Sequence, residues 1–292
     1  MPKLNAFTVD VEDYFQVSAF ETAISRATWD DLPSRVVGST RRLLALLDRH
    51  AVRGTFFVLG WVARKFPALV REIQAGGHEV GSHSYWHRLI YTQTRAEFRS
   101  DLRQSKHVLE DITGQAVTAF RAPSFSITRR SLWALEVLVE EGFKTDSSVF
   151  PTHHDRYGIP GARPEIHMLQ TPSGTLLEFP PSVARWNRLA LPAGGGGYFR
   201  LYPYRLTSGL LGHINRREQR PFMFYVHPWE VDPEQPRLGV GSGWMRFRHY
   251  VNLASTERKL DRLLRDFPCG AMADVLGQRT VSLPLPAAVA TI

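Results

Sequence analysis

Four groups of residues in this sequence could carry hydrolytic chemistry. Asp10-Val11-Glu12-Asp13 sets carboxylates at positions 10 and 12, which project to one face if the chain is extended there. One could bind a metal while the other acts on water; a helix cap or a turn is the alternative use of such acids. His83-Ser84-Tyr85-Trp86-His87 carries two imidazoles at a spacing that stacks them on one helical turn or brings them together across a tight loop. Two neutral imidazoles and a carboxylate form a frequent catalytic zinc set, with a coordination position left for water. Ordinary surface or capping histidines are the plainer alternative, and His78, which has no such companion, is read as structural. Arg121 and Asp146 could form a buried pair that orients a catalytic carboxylate and adjusts its pKa, or a plain salt bridge. His227 ends a very apolar run, where it could protonate a leaving amine or sit hydrogen-bonded in the core.

For these groups to meet, the elements before them must deliver them to one side of the fold. Short apolar runs alternate with longer amphipathic segments, an order that places helices outside a largely parallel sheet. Strands are predicted over residues 4–9, 54–59, 78–83, 118–122, 143–147 and 222–227. Helices are predicted over 34–49, 62–74, 131–141, 205–216 and 255–265, and another from the capping box Thr94-Arg95-Ala96-Glu97 to the stop at Gly114. Residues 150–204, with several prolines and four consecutive glycines at 194–197, read as an insertion of loops and antiparallel hairpins around 176–179. About six or seven βα-like units result, which suggests an incomplete or distorted barrel. The expected organisation is one α/β domain over residues 1–276 and a poorly ordered tail over 277–292. Asp10, His83, Arg121, Asp146 and His227 all fall at carboxyl ends of predicted strands, the face where such folds keep their chemistry.

Composition restricts the alternatives. Hydrophobic residues at 43% and charged residues at 22% describe a globular chain with a continuous core. A net charge of +8 would suit an anionic partner, such as an acidic glycan, a membrane surface or a nucleic acid. The basic residues are spread along helical segments, as in Arg41, Arg42 and Arg49, without a nucleic-acid motif, so no nucleic-acid partner is expected. Cys269 is the only cysteine, which excludes an intramolecular disulfide and a thiolate metal cluster and fits a reducing compartment. The apolar run at 4–9 is too short for a signal-peptide core or a membrane span, and cytoplasmic residence is the resulting expectation.

Taken in order, the segments resemble the catalytic domain of carbohydrate esterase family 4, the NodB-homology polysaccharide deacetylases, over residues 7–229. His83-Ser-x-x-His87 is the most specific piece, followed by Arg121-Ala-Pro123, Asp146-Ser-Ser and Val226-His227. The resemblance implies a distorted (β/α)7 barrel and a divalent metal, usually zinc, held by an Asp or Glu and two histidines. It implies that Asp10 is the general base, His83 and His87 are ligands, and His227 is the general acid. Arg121 would orient the base, and Asp146 would pair with Arg121 or His227. Many members carry adjacent aspartates after Thr-Phe, whereas Thr8-Val9-Asp10-Val11-Glu12-Asp13 is similar to a subgroup with Asp-x-Asp. That likeness makes Glu12 the third ligand, with Asp13 its competitor.

Trp86, Pro123, Phe125 and Trp229 are the expected substrate-contacting residues, with Tyr198 a further ring that could stack on sugars. Core packing is the alternative for each aromatic ring. The stretches His153-His154-Asp155-Arg156-Tyr157-Gly158, Gly195-Gly196-Gly197-Tyr198-Phe199-Arg200 and Arg246-Phe-Arg-His-Tyr250 look similar to deacetylases of bacterial exopolysaccharide loci of the exosortase/PEP-CTERM system. This likeness implies N-deacetylation of an exopolysaccharide or its lipid-linked oligosaccharide precursor. The rival expectations are a cyclic amide hydrolase of the allantoin or imide type on the same fold, and a metal-free glycan-binding protein.

Overall fold

Asn5–Val11 (β1) is buried along its whole length, as a strand covered on both faces must be, and in this computed structural model it is the axis of the fold. The structure describes residues 3–154, 157–186 and 189–280. After β1 come α1 (Val36–Arg49), β2 (Thr55–Val58), α2 (Gly60–Lys65), α3 (Pro67–Ala75), β3 (Glu79–Ser82), α4 (Arg95–Thr113), β4 (Ala119–Phe120), α5 (Trp133–Glu140) and β5 (Thr145–Asp146). The chain continues through β6 (His167–Thr171), β7 (Gly174–Glu178), β8 (Val183–Trp186), β9 (Leu189–Pro192), α6 (Gly196–Leu201) and α7 (Tyr204–Arg216). It closes with β10 (Met223–Val226), α8 (Gly243–Tyr250), α9 (Leu253–Asp266), β11 (Cys269–Gly270) and α10 (Met272–Thr280).

The main sheet runs β10-β1-β2-β3-β4-β5-β7-β6, with β11 beside the start of β1. Every neighbouring pair from β10 to β7 is parallel, and β6 adds an antiparallel edge. This is the strand succession expected of a distorted (β/α)7 barrel, with the ladder open between β7 and β10. Backbone and one hydroxyl span the opening. Ala193 and Gly194 donate to the Ser182 carbonyl, Met223 N donates to Ser182 Oγ, and Tyr225 N donates to the Gly194 carbonyl. Gly195 makes this approach possible, because at φ 128° a Cβ there would stand 1.9 Å from the Tyr225 carbonyl oxygen.

Inside the curved sheet Phe57, Phe150, Phe179 and Met223 pack together, while a larger apolar cluster lies beneath the helices. The predicted helix over 62–74 is two helices: Phe66 leaves helical geometry (φ −129°, ψ 61°) and Pro67 begins α3, because proline cannot donate within a continuing helix. The capping box is present as expected, with Gly114 at φ 65° ending α4. The insertion contains the antiparallel β6–β7 and β8–β9 hairpins and all of α6. Helix α10 runs past Leu276 to Thr280, so the tail does not begin at 277; residues 281–292 lie outside the described residues. Among the described residues no helix is long and apolar enough to cross a membrane.

Candidate metal centre and hydrolytic site

Parallel pairing of β10, β1, β2, β3 and β4 brings the carboxyl ends of these strands together, and their polar residues meet there. Asp10, on β1, accepts a 2.7 Å hydrogen bond at Oδ1 from Arg121 Nη1. Arg121 is wholly buried after β4. Its guanidinium also donates to Thr8 Oγ1 and Ser147 Oγ and lies 4.3 Å from the Phe57 ring centroid. Both members are desolvated and mutually satisfied, so this carboxylate is held in one orientation. Three residues on, Asp13 is already engaged: it accepts from Ser34 Oγ and from the Arg35 and Val36 amides at the start of α1.

His83 follows β3, and its Nδ1 hydrogen bond to the Arg121 carbonyl, at 2.8 Å, leaves Nε2 as the free lone pair. The segment to His87 is a loop, not a helical turn, since Ser84 and His87 have φ of 64° and 52°. Asp101 of α4 fastens it, accepting from the amides of Tyr85 (2.7 Å) and Trp86 (3.0 Å). Gly60 permits the close packing of Tyr85, as a Cβ there would come within 2.5 Å of that ring.

Ligand atoms of Glu12, His83 and His87 lie within 4.8 Å of one another, all three residues buried. Glu12 Oε2 is 2.5 Å from His87 Nε2 but has no aligned hydrogen-bond donor, and the buried His87 Nδ1 has no hydrogen-bond partner among the described residues. An orphaned carboxylate oxygen at the centre of two imidazoles is a site for a cation. Burial pushes the His83 imidazole down to about 4, so it is neutral and available to ligate at pH 7. Burial works against the Glu12 charge, but His87, then His227 and His83, hold the carboxyl well below its usual range. The donor set fits a divalent ion of the zinc type.

His227 follows β10. Its Nδ1 is 2.7 Å from Glu230 Oε1, while Nε2 faces Asp10 Oδ2 at 3.9 Å and Glu12 Oε1 at 3.8 Å. Burial opposes a charge on this imidazole, but the Glu230 hydrogen bond and the nearby Glu12 and Asp10 carboxylates raise it to about 9. Glu230 is itself held by Arg200 at 2.6 Å. Trp229 stacks between His227 and His249 and donates from Nε1 to Glu12 Oε1.

Asp146 corrects an expectation. It pairs with neither Arg121 nor His227; its Oδ1 accepts from Ser148 Oγ and its carboxyl bonds to Glu178 of β7. Sequence reasoning missed Glu230, Arg200 and Asp101; His-x-x-Glu over 227–230 was the available signal for the first.

A cavity of about 370 Å³ opens over these groups, lined in part by Glu12, His87, Phe125, Tyr198, His227 and Trp229. Phe125, Tyr198 and Trp229 are therefore placed to meet a ligand. Trp86 and Pro123 are absent from its wall: Trp86 packs edge-on to Tyr85 and beside Trp29, and Pro123 is buried. Ser124, at φ 50°, also lines the cavity. In this turn Arg121 N donates to the Ser82 carbonyl, Ala122 N to Ser148 Oγ, Phe125 N to the Ala122 carbonyl and Ser126 N to the Pro123 carbonyl. With no N–H on Pro123, the Ser124 amide is the donor of this turn left without an acceptor among the described residues.

Residues 23–139 match the family model described as polysaccharide deacetylase, and residues 147–277 match one described as a domain of unknown function, DUF3473. A peptidoglycan-N-acetylglucosamine deacetylase of Bacillus cereus is 34% identical over 110 residues, which are 37% of this chain and 39% of the relative. The chain thus spans less than half the length of the curated relatives it matches, 39% and 44% for two of them. The crystal structure of a Mycobacterium smegmatis protein, provisionally assigned as a polysaccharide deacetylase, shares the fold with a TM-score of 0.64 at 19% identity, covering 100% of this chain and 99% of that one. Puue allantoinase shares it at a TM-score of 0.61 and 14% identity, over 96% of this chain and 91% of its own.

Proposed function

We infer, from the support that a family model, curated relatives and the shared fold give to membership of the polysaccharide deacetylase family, that this chain is a metal-dependent hydrolase releasing acetate from N-acetylated amino sugars of a glycan. The observation that carries the reading is the confrontation of Asp10 Oδ2 and His227 Nε2 at 3.9 Å beside the Glu12, His83 and His87 cluster.

A divalent ion held by Glu12, His83 and His87 would supply Lewis acidity, polarising the acetyl carbonyl and acidifying water. Asp10, fixed through Oδ1 by Arg121, takes the proton of the attacking water at Oδ2. The Ser124 amide donates to the oxygen that becomes negative as the carbonyl carbon turns tetrahedral. His227 gives the proton on Nε2 to the departing sugar nitrogen as the carbon–nitrogen bond breaks, so that acetate and a free amine result. Glu230 holds the opposite edge of that ring throughout.

A pure binding protein would have no use for a base and an acid mounted this closely. A cyclic amide hydrolase would be served by an enclosed pocket, whereas here the exposed Trp244 forms part of the cavity wall and leaves room for a sugar chain. The likeness of the later stretches to exopolysaccharide-locus deacetylases makes a bacterial exopolysaccharide or its lipid-linked precursor the substrate proposed. The test is acetate release from N-acetylglucosamine oligomers by wild type and His83→Ala, each stripped of metal and then given zinc. Zinc-dependent release by wild type alone is expected. Tight zinc binding without release from any N-acetylated oligomer would overturn the reading.

A further inference from the structure

The cavity over Glu12, His87 and His227 has one more charged residue in its wall, Arg248 of α8. Among the described residues lining it, Glu12 is the single acid, and that carboxylate is turned to His87. Arg248 is exposed and forms no ion pair with a described residue. Other surface arginines differ: Arg41 is matched by Glu72, and Arg99 by Glu140 and Glu141. Tyr157 and Tyr198 stand in the same wall, and Tyr157 lies within electrostatic reach of Arg248. Trp244, one turn earlier on α8 and 65% exposed, completes this side of the mouth.

Helix α8 is tied to the reacting groups. Arg200, which holds Glu230, also donates to the carbonyls of His249 and Val251, and the His249 ring stacks on Trp229 at 4.3 Å. The root of the Arg248 side chain therefore has a set position relative to His227. A neutral sugar laid over this mouth would strip water from the guanidinium and return no counter-charge. A carboxylate or phosphate would return a charge-assisted, bidentate contact, with tyrosine hydroxyls as additional donors.

We propose that this site takes an acidic N-acetylated glycan, and that Arg248, with Tyr157 and Tyr198, binds a carboxylate or phosphate on the unit next to the one deacetylated. This substrate class rests on the deacetylase reading above, and the chain's net charge of +8 accords with an anionic partner.

The test compares wild type with Arg248→Gln, both as zinc-loaded full chains. Binding is measured by calorimetry to a neutral N-acetylglucosamine tetramer, a tetramer alternating N-acetylglucosamine with glucuronate, and an N-acetylglucosamine dimer carrying a diphosphate at its reducing end. Wild type is expected to bind at least one anionic probe about tenfold more tightly than the neutral one, with the advantage reduced by salt. Arg248→Gln should lose that advantage and keep its affinity for the neutral tetramer. A preference for the uronate places the anion in the polymer, and one for the diphosphate places it on a carrier. Equal binding of all probes by wild type, or equal weakening of all probes in the variant, overturns the proposal. Acetate is assayed on the same probes: preference without any acetate release upholds the anion site and overturns the deacetylase reading.

Discussion

Asp10 Oδ2 and His227 Nε2 face each other across 3.9 Å, and each residue is gripped from behind on its other polar atom. Arg121 occupies Asp10 Oδ1 and Glu230 occupies His227 Nδ1, so one acceptor and one donor are left over, aimed at the same space. Arg121 and Glu230 carry opposite charges, which favours opposite charges on the two residues they hold.

Replacing Asp10 with Asn keeps an oxygen for Arg121 and removes the proton acceptor. Deacetylation should fall by about 10²–10⁴-fold in kcat/KM, while zinc affinity, set by Glu12, His83 and His87, stays within a few fold. Acetate release and bound metal are measured on the same preparation. Loss of metal together with activity would place Asp10 among the ligands instead.

The His227 proton predicts an alkaline limb. The residue acts as an acid only while protonated, so kcat should decline as pH rises through about 9, the value to which Glu230, Glu12 and Asp10 raise it against burial. Glu230→Gln removes the first of these carboxylates, and the limb should move to lower pH. An aryl acetate, whose leaving group needs no proton, should be hydrolysed almost as before. A limb that stays in place assigns the proton to another group.

Asp101 accepts two buried amides of the loop that carries His87. Asp101→Ala should cost about 3 kcal/mol in chemical denaturation, from the loss of charge-assisted bonds to those amides. Zinc affinity should weaken about 10–100-fold, because the loop that aims an imidazole is released. Unchanged metal affinity in a destabilised variant would confine Asp101 to a folding role.

Asp146 Oδ2 and Glu178 Oε2 are buried without any other donor, and the bond between their carboxyls requires a shared proton. Burial pushes both groups up, and the Asp146 charge adds to the rise at Glu178. A folded pKa above the unfolded one stabilises fully below the unfolded value and loses that contribution as pH climbs through the folded one. Glu178→Gln supplies a permanent donor, so its denaturation midpoint should change less between pH 5 and pH 8 than that of wild type. Equal pH slopes would mean that the pair is not the proton store.

Asp10, His83, Arg121 and His227 were legible in the sequence because each is a polar residue at the carboxyl end of a strand expected from the sequence, and parallel strands in register carry such endings to one face. Partnerships made across the fold were not. Asp146 meets Glu178 only because β5 lies beside β7, a pairing that depends on where the insertion re-enters the sheet. Asp101 sits mid-helix in α4 among charged residues and reads as a solvated acid until the Tyr85 and Trp86 amides are found against it. Trp86 and Trp229 are alike as residue types; the first is drawn beside Trp29, whereas the second hydrogen-bonds Glu12 and reaches the cavity. Glu12 and Asp13 were likewise separated only by the cap that Asp13 places on α1.

Strand β10 has a full ladder with β1 on one flank and only a few bonds to Ser182 and Gly194 on the other. In the mechanism proposed, the carbonyl-activating cluster would be mounted on residues 12–87 and the proton donor, with much of the cavity wall, on 196–250, so the molecule would separate what is attacked from what departs. Exchanging the later stretch for another that presents the same histidine would retarget the enzyme to a new leaving group while its electrophile chemistry stayed intact. Such a graft would have to rebuild the ladder with β1 but only a few bonds across the unzipped seam.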